Sequence, residues 1–281
     1  MASKRGEIME TFDEEKVVFE NYKNIPSSKI KYNGRFFHCL HIEKLTRSFF
    51  FNNSWINSSG KNDLPPDFHN DKHQIMLEVM RIDDCVNELN GKHVSNSFEK
   101  ANVFMKNVAG RDYKKTLNGT LVFIPDTRNS SDFNFKGYLT NFEKVILGHS
   151  EKVAKYRLNY PKCKTIVFLV CDESNNYIQV LDKNDLERED EKDVFINRFY
   201  PHYQFDDARF IDIIKKCSAD YLIWFGRFKS LYINNKEINY PRVCIYDIKH
   251  IKRNGLTYNH DLMFKVKEEQ VNEFLQRCFG K

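Results

Sequence analysis

Pro65-Pro66-Asp67-Phe68-His69, followed by Asn70-Asp71 and then Ile75-Met76-Leu77-Glu78-Val79-Met80-Arg81, is the stretch that decides the fold. Asn70 and Asp71 are turn formers between two runs of extended character, so the stretch reads as a β-hairpin. That hairpin sets Asp67 near the start of one strand and Glu78, eleven positions later, in the middle of the next. Two carboxylates close together on rigid strands outline a divalent-metal site. Mg²⁺ takes hard oxygen ligands and commonly only one or two protein carboxylates. An Asp after Pro is also an ordinary turn residue. Glu78 is harder to explain blandly: it stands among Ile75, Met76, Leu77, Val79 and Met80. A carboxylate in so apolar a strand needs a partner.

The pattern resembles the metal-binding core of the PD-(D/E)xK nuclease superfamily, in which Pro-Asp precedes a strand carrying Glu-x-Lys. This chain departs from it at the third element, because Met80 stands at the Lys position. Alternation along a strand puts residue 80 on the face of Glu78 and Arg81 on the other. The resemblance implies a core of helix, three-strand meander, helix and strand over residues 38–170. It implies Mg²⁺ or Mn²⁺ on Asp67 and Glu78, with Glu43 of the preceding helix as a further ligand. It also implies hydrolysis of DNA phosphodiester bonds, in restriction, repair or defence against mobile elements. Lys152 or Lys155, on a helix over 141–157, could replace the missing Lys, or metal ions alone could activate the water. Asp67, Glu78 and Lys152 are then the catalytic set. The alternative is a degenerate nuclease fold that binds a partner and catalyses nothing. Glu43 also has a bland reading, an i,i+4 pair with Arg47.

Working outward, the pattern predicts α/β architecture: a mixed central sheet flanked by helices, with a C-terminal hairpin and closing helix. The chain reads as one domain, 1–281, with residues 171–281 added to the nuclease-like core. A short helix is expected around Val17–Tyr22. Asn33-Gly34 is a turn signal between extended flanks. Helices are expected over 39–51, over 141–157 with Asn141 as N-cap, over 205–216 and over 262–279, and a helix or a partly irregular segment over 97–107. Strands are expected at 119–125, 165–170 and 221–225, and a hairpin from 231–238 and 242–248. Ile166, Phe168, Val170, Leu222 and Trp224 should lie buried in adjacent strands.

Other polar groups have weaker claims. Asp83-Asp84 follow the Glu78 strand, and acidic residues at a strand end are usually solvated. His69 beside Asp67 reads as a ligand, a general base or a structural group. Asp172-Glu173 ends a central strand, where α/β folds favour ligands. Lys144, Lys152, Lys155 and Arg157 would give their helix a basic face for a phosphate backbone. Phosphate-cradling, dinucleotide-binding and esterase glycine motifs are absent from the sequence.

At 281 residues, with 41% hydrophobic and 30% charged residues, the chain can bury a large core. The apolar runs are of strand length and too short to span a membrane. Seven scattered cysteines without a Cys-x-x-Cys pair argue for a reducing compartment and against a zinc site. The N-terminus has no apolar leader, so a cytoplasmic location is expected. A net charge of +5 is compatible with a nucleic-acid partner. A homodimer or a partner protein is left open.

Overall fold

The computed structural model describes residues 11–47, 54–58, 64–84, 135–174, 204, 207–226 and 241–254, together with the short strands named below. The elements run α1 (Thr11–Lys23), β1 (Ile30–Asn33), α2 (Phe36–Arg47), β2 (Ile56–Asn57), β3 (Phe68–Asn70) and β4 (Ile75–Ile82). They continue with β5 (Glu88–Leu89), β6 (Lys92–His93), α3 (Phe135–Ser150), α4 (Val153–Asn159), β7 (Thr165–Asp172), β8 (Tyr177–Leu181) and β9 (Phe199–Pro201). The last are α5 (Ala208–Lys216), β10 (Tyr221–Phe225), β11 (Tyr232–Ile233), β12 (Lys236–Glu237), β13 (Val243–Asp247), α6 (Ile248–Asn254) and β14 (Val266–Gln270).

Seven of these strands form one mixed sheet in the order β1-β13-β10-β7-β4-β3-β2. β2, β3 and β4 are an antiparallel meander, and β4, β7 and β10 are parallel. Parallel neighbours need a crossover, which α3 lies on for β4 to β7 and α5 for β7 to β10. β7 is the central strand, and it is buried at seven of its eight positions, its apolar run among them. Helices cover both faces, which is why the run is apolar throughout and does not alternate.

The two faces divide the core cleanly. Met76, Met80, Ile166, Phe168, Val170, Leu222 and Trp224 face the cluster built with α3, α4, α5 and α6. Leu77, Val79, Val167, Leu169 and Ile223 face the cluster built with α1 and α2. The expected burial of the two central strands is met, with Leu222 opposite Phe168 and Trp224 opposite Val170. Among the described residues no helix is long and apolar enough to cross a membrane.

Several local expectations need correction. The expected 141–157 helix begins at Phe135 and breaks at Glu151–Lys152, so Asn141 is not a cap. Its side chain is buried and donates to the carbonyl and carboxylate of Asp83 at 3.1 and 3.2 Å. Gly34 does not turn one strand into another. It joins β1 to α2 with φ +126°, and a Cβ there would meet Asp247 Cβ at 2.6 Å. β13 does not pair with 231–238 but inserts between β10 and β1. β11 and β12 pair with each other instead. Residues 266–270, expected in a closing helix, form a strand paired with β8. Val266-Lys267-Glu268-Glu269-Gln270 has no apolar face of its own, so pairing rather than periodicity decides its state. The expected 97–107 helix and 119–125 strand lie outside the described residues.

Candidate functional site

Phe68 pairs with Leu77, so the ladder extended by one residue sets Asp67 opposite Glu78. The side chains complete that step. Asp67 Oδ2 accepts the Val79 N–H at 2.7 Å, and Glu78 Oε2 accepts the Asp67 N–H at 3.3 Å. The hairpin therefore sets the two acids at opposed positions, each carboxylate bonded to the backbone of the facing strand.

Their surroundings differ. The Asp67 carboxyl faces α1, where it shares a hydrogen bond with Glu15. Two carboxyl groups can bond only through a proton. Burial, the Glu78 charge and the Glu15 charge push Asp67 up to about 9, against the lowering effect of the Val79 N–H. Glu78 is 5% exposed and reaches towards α3 and α4. Its Oε1 accepts the Tyr156 hydroxyl at 2.8 Å and lies 2.8 Å from His149 Nδ1. Tyr156 and His149 are themselves 3.3 Å apart. Burial and the neighbouring Glu78 raise the Tyr156 phenol far above its ordinary range, so it stays a donor. His149 ends α3 and Tyr156 sits in α4, seven positions apart on one side of the broken helix.

Met80 has the position expected of it, on the Glu78 face, buried among apolar side chains. Arg81 turns to the other face and grips Glu173 with two hydrogen bonds, at 3.1 and 2.7 Å. Lys152 stands at the N-cap of α4 and is exposed, and its side chain makes no hydrogen bond or ion pair with a described residue. Glu43 does not join the acid pair. It accepts from Tyr32 of β1 and pairs with Arg47, on the face opposite Glu78. β1 is four strand spacings from β4, about 19 Å at roughly 4.8 Å each. The i,i+4 reading of Glu43 is the one the geometry matches.

His69 is buried against Tyr160, with ring centroids 4.2 Å apart, and burial lowers its pKa. Asp83 and Asp84 are buried, not solvated. Asp172 is fully buried and saturated with donors. It accepts Tyr138 Oη at 2.5 Å, Trp224 Nε1 at 2.8 Å and Gln204 Nε2 at 2.9 Å. Ser174 adds its N–H at 2.9 Å and its hydroxyl at 2.6 Å.

Sequence reasoning missed Glu15, His149 and Tyr156. The apolar character of α3 and α4 hid the last two, and Glu15 is remote in sequence. The donor set suits a hard cation in kind, since two carboxyl groups stand opposed in the ladder and the raised one keeps a proton that a cation would displace. Among the described residues, no group of three His, Cys, Asp or Glu is arranged to hold an ion. Asp67 and Glu78 with water would have to suffice, a common arrangement for Mg²⁺. Protein-family models, curated proteins and solved structures include no match to this chain.

Proposed function

We propose that the chain is a metal-dependent nuclease of the PD-(D/E)xK type that hydrolyses DNA phosphodiester bonds. The observation that carries this reading is the opposed Asp67–Glu78 pair of the β3–β4 ladder, each carboxylate accepting a backbone N–H across it; burial and then the Glu78 charge push Asp67 up to about 9. A resting pair so poised stores an affinity for a cation that takes the proton's place. The order α2, antiparallel β2-β3-β4, α3 and parallel β7 supports it, because it is the order the resemblance implies.

Asp67 and Glu78 would hold Mg²⁺ or Mn²⁺. When bound, the ion would acidify a water and offset charge on the phosphate. The chain's own residues do the rest. Tyr156 and His149 fix the Glu78 carboxylate. Exposed Lys152 and Lys155, at the head of α4 and within it, offer charge to a phosphate backbone.

A second reading has its own observation. Glu78 Oε1 already serves Tyr156 and His149, and Met80 fills the Lys position with apolar bulk. A degenerate nuclease fold that binds a partner would look the same. Cleavage of plasmid and linear DNA separates the two. Activity with Mg²⁺ or Mn²⁺ that vanishes with EDTA and in Asp67→Asn supports the nuclease. Binding without cleavage under all metals supports the degenerate reading.

A further inference from the structure

The outer face of α2 carries two large exposed rings that the acid pair does not use. Phe37 is 80% exposed and Phe36 is 53% exposed. Their centroids lie 5.6 Å apart, and Phe36 is braced edge-on against Tyr32 at 5.2 Å. His41 and Lys44 follow Phe37 at i+4 and i+7, so the three form one stripe along the helix. All are exposed, as are Arg35 and His38 at the head of the stripe. His38 leans on Asp247 at 3.4 Å. The sole acidic residue between Ile30 and Arg47 is Glu43, and it is buried against Arg47. The face thus offers flat rings and positive charge, with no carboxylate of its own helix to repel an anion.

We propose that this stripe binds single-stranded nucleic acid, with bases stacking on Phe36 and Phe37 and phosphates meeting Arg35 and Lys44. Stacked rings beside cations are the chemistry that takes unpaired bases without regard to sequence. Duplex DNA hides its base faces, so the rings give it nothing. A lipid surface fits less well. Arg35 and His38 flank the ring pair directly, and inserting the rings would carry both into hydrocarbon. The inference extends the nucleic-acid reading of the acid pair, but its test does not depend on that pair.

Fluorescence anisotropy with a labelled oligothymidylate, in EDTA, measures binding without cleavage. Phe37→Ala is expected to weaken binding and Phe36→Ala/Phe37→Ala to weaken it about tenfold or more, with circular dichroism unchanged. Phe37→Trp should retain affinity, and its added tryptophan emission should be quenched by the bound strand. Affinity for a duplex of the same length should be the same for parent and double variant. No binding by the parent, or equal binding by parent and double variant, would overturn the proposal. Capture of phosphatidylserine vesicles in place of the oligonucleotide, lost in the double variant, would overturn it too and assign the stripe to a membrane. Cleavage that depends on Asp67 but not on Phe36 and Phe37 would leave the nuclease standing without this surface. Ring-dependent binding with no cleavage would do the reverse.

Discussion

His149 Nδ1 lies 2.8 Å from Glu78 Oε1, the same oxygen that accepts the Tyr156 hydroxyl. The contact requires a proton on Nδ1, because a carboxylate oxygen cannot face a bare ring nitrogen favourably. The strand acid is therefore anchored by the end of α3 and the body of α4, two elements that follow it by more than fifty residues. That anchoring fixes the carboxylate whether or not an ion is bound, and it sets the terms of the first prediction.

Glu78→Gln keeps an acceptor for Tyr156 and removes one charge facing Asp67. Asp67 should then titrate below the value of about 9 that it has beside Glu78. Carbon-detected NMR of the Asp67 carboxyl reads this directly. Metal-dependent cleavage should disappear while the melting temperature without metal holds or rises. Glu78→Ala is a different experiment. It leaves the Tyr156 hydroxyl and His149 without their acceptor and should cost about 1–3 kcal/mol.

Stability should depend on pH through Asp67. Its pKa is raised on folding from 3.8 to about 9, so the folded chain holds the proton more tightly than the unfolded one. The contribution is full below about 3.8 and is lost as pH climbs towards 9. Urea midpoints in EDTA should fall across that window. Asp67→Asn should flatten the fall. Mg²⁺ should restore stability most at the alkaline end, where the cation no longer competes with a proton. A midpoint that rises through the window would contradict the raised value.

Asp172 is a structural hub despite its place at a strand end. Asp172→Ala would strand the Tyr138, Trp224, Gln204 and Ser174 donors in the core. The expected cost is about 3–5 kcal/mol, by analogy with removing one partner of a buried charged contact. Denaturant unfolding measures it. A loss of cleavage with unchanged stability would instead return this carboxylate to the list of candidate ligands.

The hairpin, the central strands and the face of Met80 were legible because strand periodicity is local and the apolar runs are long. Asp67 and Glu78 could be paired for the same reason, from a turn of known length. Residues 266–270 could not be read, because a polar strand owes its state to its partner β8. Glu43 was misplaced because a helix acid shows its spacing to Arg47 but not the face of the sheet it packs on. Glu15 and His149 were invisible because they meet the acid pair only through tertiary packing of α1 and α3.

Met80→Lys tests whether the site lacks only the residue that the family pattern supplies. Residues 78 and 80 share a face of β4, about 7 Å apart at roughly 3.4 Å per residue. A lysine side chain spans that distance, so its ammonium can reach the Glu78 carboxylate from within the strand. Met80 is 3% exposed, among Ile82, Val170 and Phe168. The substitution should therefore lower the melting temperature, since the new charge is desolvated and Glu78 alone offsets it. Cleavage with Mg²⁺ should rise, because a cation now stands where the family pattern holds one. Met80→Leu is the control: a swap of similar volume should cost less than about 1.5 kcal/mol and leave cleavage unchanged. A folded Met80→Lys protein that cleaves no better than its parent would show that the missing Lys is not what limits the site. His149→Ala in the parent then becomes the informative variant. Loss of cleavage there, with the fold retained, would mean that the histidine on Glu78 already does what the lysine would have done.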